Sequence, residues 1–293
     1  MIFLMISTKS SQHYTMPAVR SLLKATSFRA DDQIIVIDND GDLKPTDIGG
    51  VDVCRNEVPL SFAANANLGL RMARDIQADV MLLNNDIIFT KHWLSYLNPK
   101  PNVISVPYCN QDAKYAHGSL SLSFAMDLEE YDERQSSALE SIAERHRQLF
   151  ATSKFVDAFR PLIPFFCVHI PYAAMMEVGD FDEEFGRGGG EDVDYRLRAA
   201  LAGISTEKVS AAFLLHFMGR STWRSGEALD VTRNADENYR QHFVSKWGRA
   251  AAELFLAGGK NSRIIEEYGL EEEIAKNNVA AILGRFGHSI IKK

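Results

Sequence analysis

Residues 79–86 read DVMLLNND, and this short stretch decides the fold. Val80, Met81, Leu82 and Leu83 run without a polar interruption and stop at Asn84, Asn85 and Asp86. A continuous apolar run of this length, bounded by turn-forming residues, suits a strand buried on both faces. The pattern recurs upstream. Residues 1–6 form an apolar run that ends at Ser7-Thr8-Lys9-Ser10, and residues 33–37, QIIVI, end at Asp38-Asn39-Asp40-Gly41-Asp42. Residues 51–54 are a shorter candidate. Between these runs the spacing is helical: Pro17 opens a helix carrying Val19, Leu22 and Leu23, and a second covers residues 65–76 around Leu68, Met72 and Ile76. Strands alternating with helices predict an α/β fold with a parallel sheet covered by helices. In such sheets ligands bind beyond the carboxyl ends of the strands. Here three strand ends each deliver a polar or acidic cluster to that edge.

The composition fits that picture. The chain has 293 residues, 46% hydrophobic and 24% charged, enough for one large domain or two ordinary ones. A net charge of −7 argues against nucleic acid as the partner, because phosphate binding needs a basic surface. The three cysteines, Cys54, Cys109 and Cys167, form no C-x-x-C pair, so neither a disulfide framework nor a zinc cluster is indicated. The N-terminal apolar run carries its lysine after the run, which reads as a buried strand and not a signal peptide. Residues 162–176 are weakly polar but too short to span a bilayer. A cytoplasmic protein is expected.

The usual phosphate grips are missing. No G-x-G-x-x-G follows the first strand and no G-x-x-x-x-G-K-S/T occurs. A nucleotide at this edge would need another source of positive charge. Asp86, a carboxylate at a strand end, could hold Mg²⁺ or Mn²⁺, and the ion could grip a diphosphate. The competing reading is that Asn84-Asn85-Asp86 only caps the next turn.

A second stretch carries chemistry. Residues 181–203 read FDEEFGRGGGEDVDYRLRAALAG. Asp182, Glu183, Glu184, Glu191, Asp192 and Asp194 surround three glycines. A helical pattern then starts with Val193, Leu197, Ala200 and Leu201, and Gly203 offers its stop. Glu191 and Asp192 therefore sit at a helix N-terminus, where one carboxylate can be held near a substrate hydroxyl. Whether its pKa falls with the helix dipole or rises with the neighbouring charges stays open at this point.

The remaining segments say less. Residues 98–101 read as a turn, and 128–155 as a charged helix with a stripe of Leu139, Ile142, His146 and Leu149, on which His146 is a packed residue. Residues 160–176 look extended and apolar. Residues 211–215 form a run ending at His216, followed by Arg220, Ser221 and Thr222. The histidine could bind a metal and the arginine phosphate oxygens. Residues 234–247 are helical, and 250–293 hold further amphipathic helices.

Taken in order, these segments resemble the inverting family 2 glycosyltransferases of the GT-A fold, in particular the bacterial branch that makes surface glycans. IIVIDND resembles the family's strand ending in Asp-Asn, and NEVPLSFAANANLGLRMA its Asn-rich entry into a helix. VMLLNNDIIF resembles its metal-binding strand end, and VGDFDEEFGRGGGEDVDYRLRAALAG its acceptor-side segment ending in Glu-Asp. His216 and NYRQHFVSKWG fit its later elements. The match covers roughly 1–97 and 162–250. It departs from the family in having one carboxylate at the metal motif and glycines where an aromatic residue is common.

The resemblance implies a Rossmann-like, mainly parallel mixed sheet flanked by helices. Residues 1–97 would be the nucleotide-sugar half, 98–225 the acceptor half, and 226–293 a C-terminal helical extension. It implies a metal-dependent inverting hexosyltransferase that uses a nucleotide-sugar donor and a glycan or lipid-linked glycan acceptor in polysaccharide biosynthesis, with Mn²⁺ or Mg²⁺ as cofactor. Peripheral contact with the inner face of the membrane would follow from such an acceptor. In this reading Asp38, Thr8 and Asn65 line the nucleotide pocket, with Asn84 and Arg220 beside the diphosphate. Asp86 and His216 hold the metal, Asp192 is the base, and Glu191 its neighbour in acceptor binding. A nucleotidyltransferase of similar fold, or a non-catalytic glycan-binding subunit, are the alternatives.

Overall fold

Every residue of the first strand, β1 (Ile2–Ser7), is buried, as a central strand covered on both faces must be. A computed structural model of the chain describes residues 1–8, 12–41, 43, 50–110, 128, 131, 136–150, 163–186, 188–217, 229–256 and 259–288. Around β1 stand β2 (Gln33–Asp38), β3 (Asp52–Arg55), β4 (Val80–Asn84), β5 (Ile87–Phe89), β6 (Val103–Cys109), β7 (Cys167–Ile170) and β8 (Ser205–His216). They form one eight-stranded sheet in the order β3-β2-β1-β4-β7-β6-β8-β5. The first four are parallel, β7 runs antiparallel to β4, β6 and β8 are parallel, and β5 returns antiparallel along β8.

Register places the polar strand ends at one edge. Ser7 lies opposite Asp38, and Ile6 opposite Asn84. Ile87 lies opposite His216, so the chain that leaves Asp86 starts β5 beside the end of β8. Between Pro107 and Tyr108 the β6–β8 register jumps, from Val209 to Phe213. Such an irregularity re-aims the rest of a strand. His146 fills the gap it leaves: its Nε2 lies 2.7 Å from the Ser210 carbonyl oxygen, and its ring packs on Tyr108 and Phe213. It is a packed residue, as its apolar stripe suggests.

The helices are α1 (Gln12–Ala25), α2 (Phe62–Asp75), α3 (Trp93–Leu97), α4 (Ser136–Phe150), α5 (Tyr172–Val178), α6 (Glu191–Leu201), α7 (Leu229–Phe255, broken at Gly248), α8 (Asn261–Tyr268), α9 (Glu271–Ala275) and α10 (Val279–Arg285). Helix α2 starts at Phe62 because the Ser61 hydroxyl caps it, accepting from the Ala64 N–H. It lies close on β1 because residue 69 is glycine; a Cβ there would collide with the Leu4 side chain.

Two expectations need correction. Pro17 lies inside α1, not at its start, because the helix begins at Gln12 and the Thr15 hydroxyl is tied to the sheet before the proline is reached. Residues 163–176 are extended only through β7. Pro171 breaks the strand and N-caps α5, whose seven residues YAAMMEV, with a single charge at Glu177, are too few to show a helical period.

The principal core lies under the sheet. A second core joins Phe185, Val193, Leu197 and Leu201 to Phe243, Trp247, Leu254, Ile282 and Leu283. The C-terminal helices thus pack directly on the segment that presents Glu191 and Asp192.

Candidate functional site

The site builds from the sheet edge. At the end of β1, the Ser7 and Thr15 hydroxyl oxygens are 2.7 Å apart, and Asn85 Nδ2 donates to Thr15 Oγ1 at 2.9 Å. This chain of bonds fixes the turn that carries Asp86. Asp86 is fully buried, and its Oδ1 stands 3.3 Å from His216 Nε2. The histidine is held from two sides: its ring stacks on Phe166 with centroids 4.8 Å apart, and its N–H donates to Asn110 Oδ1 at 2.8 Å. The Phe217 N–H donates to the Asp86 carbonyl. Strands β5 and β8 therefore pin carboxylate and imidazole together.

That pair can hold a divalent cation. Adjacent ligands of a six-coordinate ion with bonds of ~2.1 Å lie ~3 Å apart, which the observed separation allows. One carboxylate and one imidazole leave most coordination positions to diphosphate oxygens and water. Among the described residues, the one group of three metal-capable side chains with ligand atoms within 4.8 Å is elsewhere, at Asp182, Glu184 and His242. Lys246 Nζ already sits 2.6 Å from Asp182 there, and a cation beside an ammonium is disfavoured.

Next to the edge lies a network of side-chain amides. Asn39 Oδ1 accepts from Asn56 Nδ2, Asn65 Nδ2 and the Leu60 N–H, and Asn39 Nδ2 donates to the Leu60 carbonyl. Asn56 Nδ2 also donates to Asn65 Oδ1 at 2.7 Å. Asn65, buried at the start of α2, thus spends its amide on the loop after β2. Asp38, also buried, accepts through Oδ2 from Arg55 Nε at 3.1 Å and from the Leu43 N–H. Thr8 directly follows β1 at the same edge, and the Asn84 N–H donates to the Phe166 carbonyl at 2.8 Å. Arg220 lies outside the described residues.

The start of α6 is linked to this edge through Phe165, which bonds Asp192 and whose neighbour Phe166 stacks on His216. Gly190, at φ +82, precedes Glu191, and a Cβ there would crowd the Phe185 and Tyr239 rings at 3.1–3.2 Å. The glycine is demanded by backbone geometry and by the Tyr239 ring of α7 lying against it. Three acids follow within four residues, each treated differently. Asp194 is fully buried and takes Arg198 Nε, Lys246 Nζ and Trp247 Nε1, all at 2.8 Å. Asp192 accepts from its neighbour Val193 N–H through Oδ1 and from the Phe165 N–H through Oδ2 at 3.3 Å. Glu191 is 7% exposed, and among the described residues its Oε2 has no hydrogen-bond partner.

Electrostatics separate the three further. Burial, then the charge of Asp192, pushes the Glu191 carboxyl up to about 8, although the N–H groups of Glu191 and Gly189 oppose the shift. Burial also raises Asp192, against the N–H groups of Val193 and Phe165 and the charge of Arg196. Burial therefore outweighs the backbone N–H groups at this position. Asp182 behaves in the opposite way. Burial would raise it, but hydrogen bonds from Lys246 and His242 hold it down at about 2. With Asn67, whose amide clasps both the N–H and the carbonyl of Phe181 and reaches Glu183, it shapes the loop before α6.

The structure thus gathers Asp86, His216 and Asn84 at one point, and Asp38 and Asn65 beside the loop after β2. Glu191 and Asp192 stand at the start of α6, with Asp192 tied to that edge through the Phe165 N–H. Three contributors were not singled out in the sequence. Thr15 and Asn39 support the edge, and Tyr239 covers Gly190. The clustering of asparagines at 39, 56 and 65 was the available signal for the amide network. A lone threonine and a tyrosine gave none.

No family model matches the chain, and no curated protein matches it in sequence. Solved structures do. GalNAc-T7, determined with UDP, GalNAc and Mn²⁺, superposes with a TM-score of 0.59 at 14% identity, over 96% of this chain and 58% of that one. The chain therefore spans less than two thirds of that protein's length. Mannosyltransferase PcManGT from Pyrobaculum calidifontis, in complex with GDP-Man and Mn²⁺, gives 0.47 at 12% identity, over 98% of this chain and 85% of that one. Residues 1–349 of S. aureus TarS give 0.44 at 12% identity, over 98% and 90%. The fold is that of the GT-A glycosyltransferases, as the order of sequence segments led one to expect. No helix among the described residues is long and apolar enough to cross a membrane.

Proposed function

We propose that the protein is a metal-dependent inverting glycosyltransferase, moving a hexose from a nucleoside-diphosphate donor to a hydroxyl of a glycan or lipid-linked glycan in polysaccharide biosynthesis. The observation that carries this reading is a short structural tie. Phe165 bonds the Asp192 carboxylate through its N–H, and Phe166 bonds Asn84 through its carbonyl while stacking on His216. On this reading the residues assigned as base and cation ligands are linked through two consecutive residues, which suits a displacement with charge developing at both ends.

Asp38 would meet the base or ribose of the nucleotide, with Thr8 lining the same pocket. Asn65 serves that pocket by holding the Asn39 loop in place. Asp86 and His216 would hold a divalent ion, with Asn84 and Arg220 toward the diphosphate. Bound there, the ion supplies positive charge to the departing diphosphate. Asp192 takes the proton of the acceptor hydroxyl as its oxygen attacks the anomeric carbon. The carbon–oxygen bond to the diphosphate breaks, and the nucleoside diphosphate leaves with the electron pair. Burial of Asp192 raises its basicity toward the working pH, the direction a base needs. The cytoplasm, at the inner membrane face, is the location that matches such an acceptor.

The test is incubation with UDP-, GDP- and dTDP-sugars plus Mn²⁺ and a panel of glycan acceptors, following nucleoside diphosphate release and the anomeric configuration of the product. Release of pyrophosphate from a nucleoside triphosphate and a sugar phosphate, without turnover of any nucleotide sugar, overturns the reading in favour of a nucleotidyltransferase.

A further inference from the structure

A cleft of about 530 Å³ lies between the second half of α1, the end of β5 and the start of α4. Its size falls within the range of small-molecule sites, ~300–1,000 Å³. Both walls are fastened to the same strand end. From α1, the Ser21 hydroxyl accepts the Phe89 N–H at 3.1 Å. From α4, Glu140 Oε1 accepts the Lys91 N–H and Arg147 donates to the Lys91 carbonyl oxygen, each at 2.8 Å. The cleft is therefore preformed in the fold. Phe89 and Leu139, both buried, close its base, and half-buried Pro17, Ala25, Leu128 and Tyr131 leave apolar surface open along its sides.

Charge sets this cleft apart. The chain carries a net charge of −7, yet the cleft is lined by Arg20, Lys24 and Lys91, all exposed, against one acid, Glu140. Glu140 is already engaged: beyond the Lys91 N–H, its Oε2 faces the Arg147 guanidinium at 3.9 Å. Helix α1 contains no aspartate or glutamate. Arg20 and Lys24 stand one turn apart on it, a like-charge spacing that disfavours the helix. The helix dipole accounts for Lys24 in the last turn, but not for Arg20 or Lys91. Among the described residues no carboxylate pairs with any of the three.

We infer that the cleft binds a phosphate group carried on an apolar body. The phosphate sits among Arg20, Lys24 and Lys91, and the apolar part lies against Pro17, Ala25 and Tyr131. Three cations answer a dianion, and the apolar sides add affinity that a bare ion cannot gain. The occupant stays clear of the reacting groups. Phe89 lies three residues, ~10 Å, beyond Asp86 along the strand, and Arg20 lies five residues, ~7.5 Å, past Thr15 along α1. Occupancy of the cleft is therefore independent of the transferase reading. The phosphate can arrive on a soluble ester or as the headgroup of an anionic phospholipid, which share this chemistry.

The test uses the full chain without metal or nucleotide, and dihexanoyl phosphatidic acid, a soluble phosphate on a short apolar body. Calorimetry should show one site per chain. Binding should be at least tenfold tighter than that of inorganic phosphate, which has no apolar part, or of dihexanoyl phosphatidylcholine, which has no net charge. The double variant Arg20→Gln, Lys24→Gln should weaken it tenfold or more with the melting temperature unchanged, because both side chains are exposed. Lys276→Gln, outside the cleft, should bind as the wild type does. Cosedimentation with phosphatidylcholine vesicles, with and without phosphatidic acid, separates the two sources. Capture by the acidic vesicles alone, lost in the double variant, assigns the cleft to a membrane lipid. Binding of the soluble ester without capture assigns it to a soluble phosphate. Failure of both forms to bind, binding that survives in the double variant, or equal affinity for inorganic phosphate or phosphatidylcholine overturns the proposal.

Discussion

Oδ2 of Asp192 accepts a hydrogen bond from the backbone N–H of Phe165 at 3.3 Å, while its other oxygen accepts from Val193. The bond from Phe165 fixes the carboxylate toward the sheet edge and couples its position to the strand that flanks Asn84 and His216. Replacement of Asp192 by asparagine preserves size but removes the proton acceptor. Turnover is expected to fall by roughly 100-fold or more, the scale of a positioned general base. Donor affinity, measured by calorimetry with Mn²⁺, should stay within about twofold, because the nucleotide side is untouched. An enzyme with near-normal turnover would remove Asp192 from the role of base.

The Asp86–His216 pair yields a separate expectation. Asp86→Ala should abolish Mn²⁺-dependent donor binding, and His216→Ala should weaken it by about tenfold, within the range for loss of a ligand or its orienting partner. Thermal shift with Mn²⁺ and nucleotide sugar, compared with EDTA, reads both, since a ligand that binds only the native state raises the melting point. Equal shifts in the wild type with and without metal would dismiss the site.

The parts of this architecture legible in the sequence are those where one chemical signal has one structural consequence. Continuous apolar runs stopped by Ser7, Asp38 and Asn84 became central strands with those residues in register at one edge. The run of α6 from Glu191 and its stop before Gly203 followed from helical spacing and glycine. What was illegible depends on contacts far apart in the chain. The start of α1 before Pro17 is secured by Thr15 bonding to Asn85, 70 residues away. Helix α5 has seven residues and one charge, Glu177, so periodicity could not separate it from a strand. The need for glycine at 190 comes from its positive φ and from Phe185 and Tyr239, the latter on α7 more than forty residues away, so no local pattern explains it. The direction of the Asp192 shift needed burial, which no local pattern supplies.

Asn67 is the clasp between α2 and the loop before α6, with three hydrogen bonds to Phe181 and Glu183. Asn67→Ala leaves the buried Phe181 N–H and carbonyl without their partners. A stability loss of about 1–3 kcal/mol is expected by urea unfolding. If the loop positions the acceptor, the acceptor KM should rise while the donor KM holds. A rise in the donor KM alone would place the loop on the wrong side of the site.

The buried carboxyl of Glu191 also sets a pH dependence of stability. Its folded pKa is raised to about 8 from the ordinary glutamate value of 4.5, so between these values the native state holds a proton that the unfolded chain has released. Its contribution is therefore fully present below about pH 4.5 and declines as pH rises toward 8, after which it is lost. Glu191→Gln removes the ionisation without changing the shape of the side chain. The variant should melt at least ~2 °C above the wild type at pH 9, about the shift that 1 kcal/mol produces in a chain of this size. The difference should shrink steadily as pH falls and disappear near pH 4.5. Asp182 does not mimic this trend. Its folded pKa lies near 2, so its contribution to stability is intact above pH 4 and is lost only as pH falls through 2. Melting curves of both proteins at half-unit intervals from pH 4 to 9 decide the matter, and a constant offset across that range would mean that Glu191 does not titrate in it.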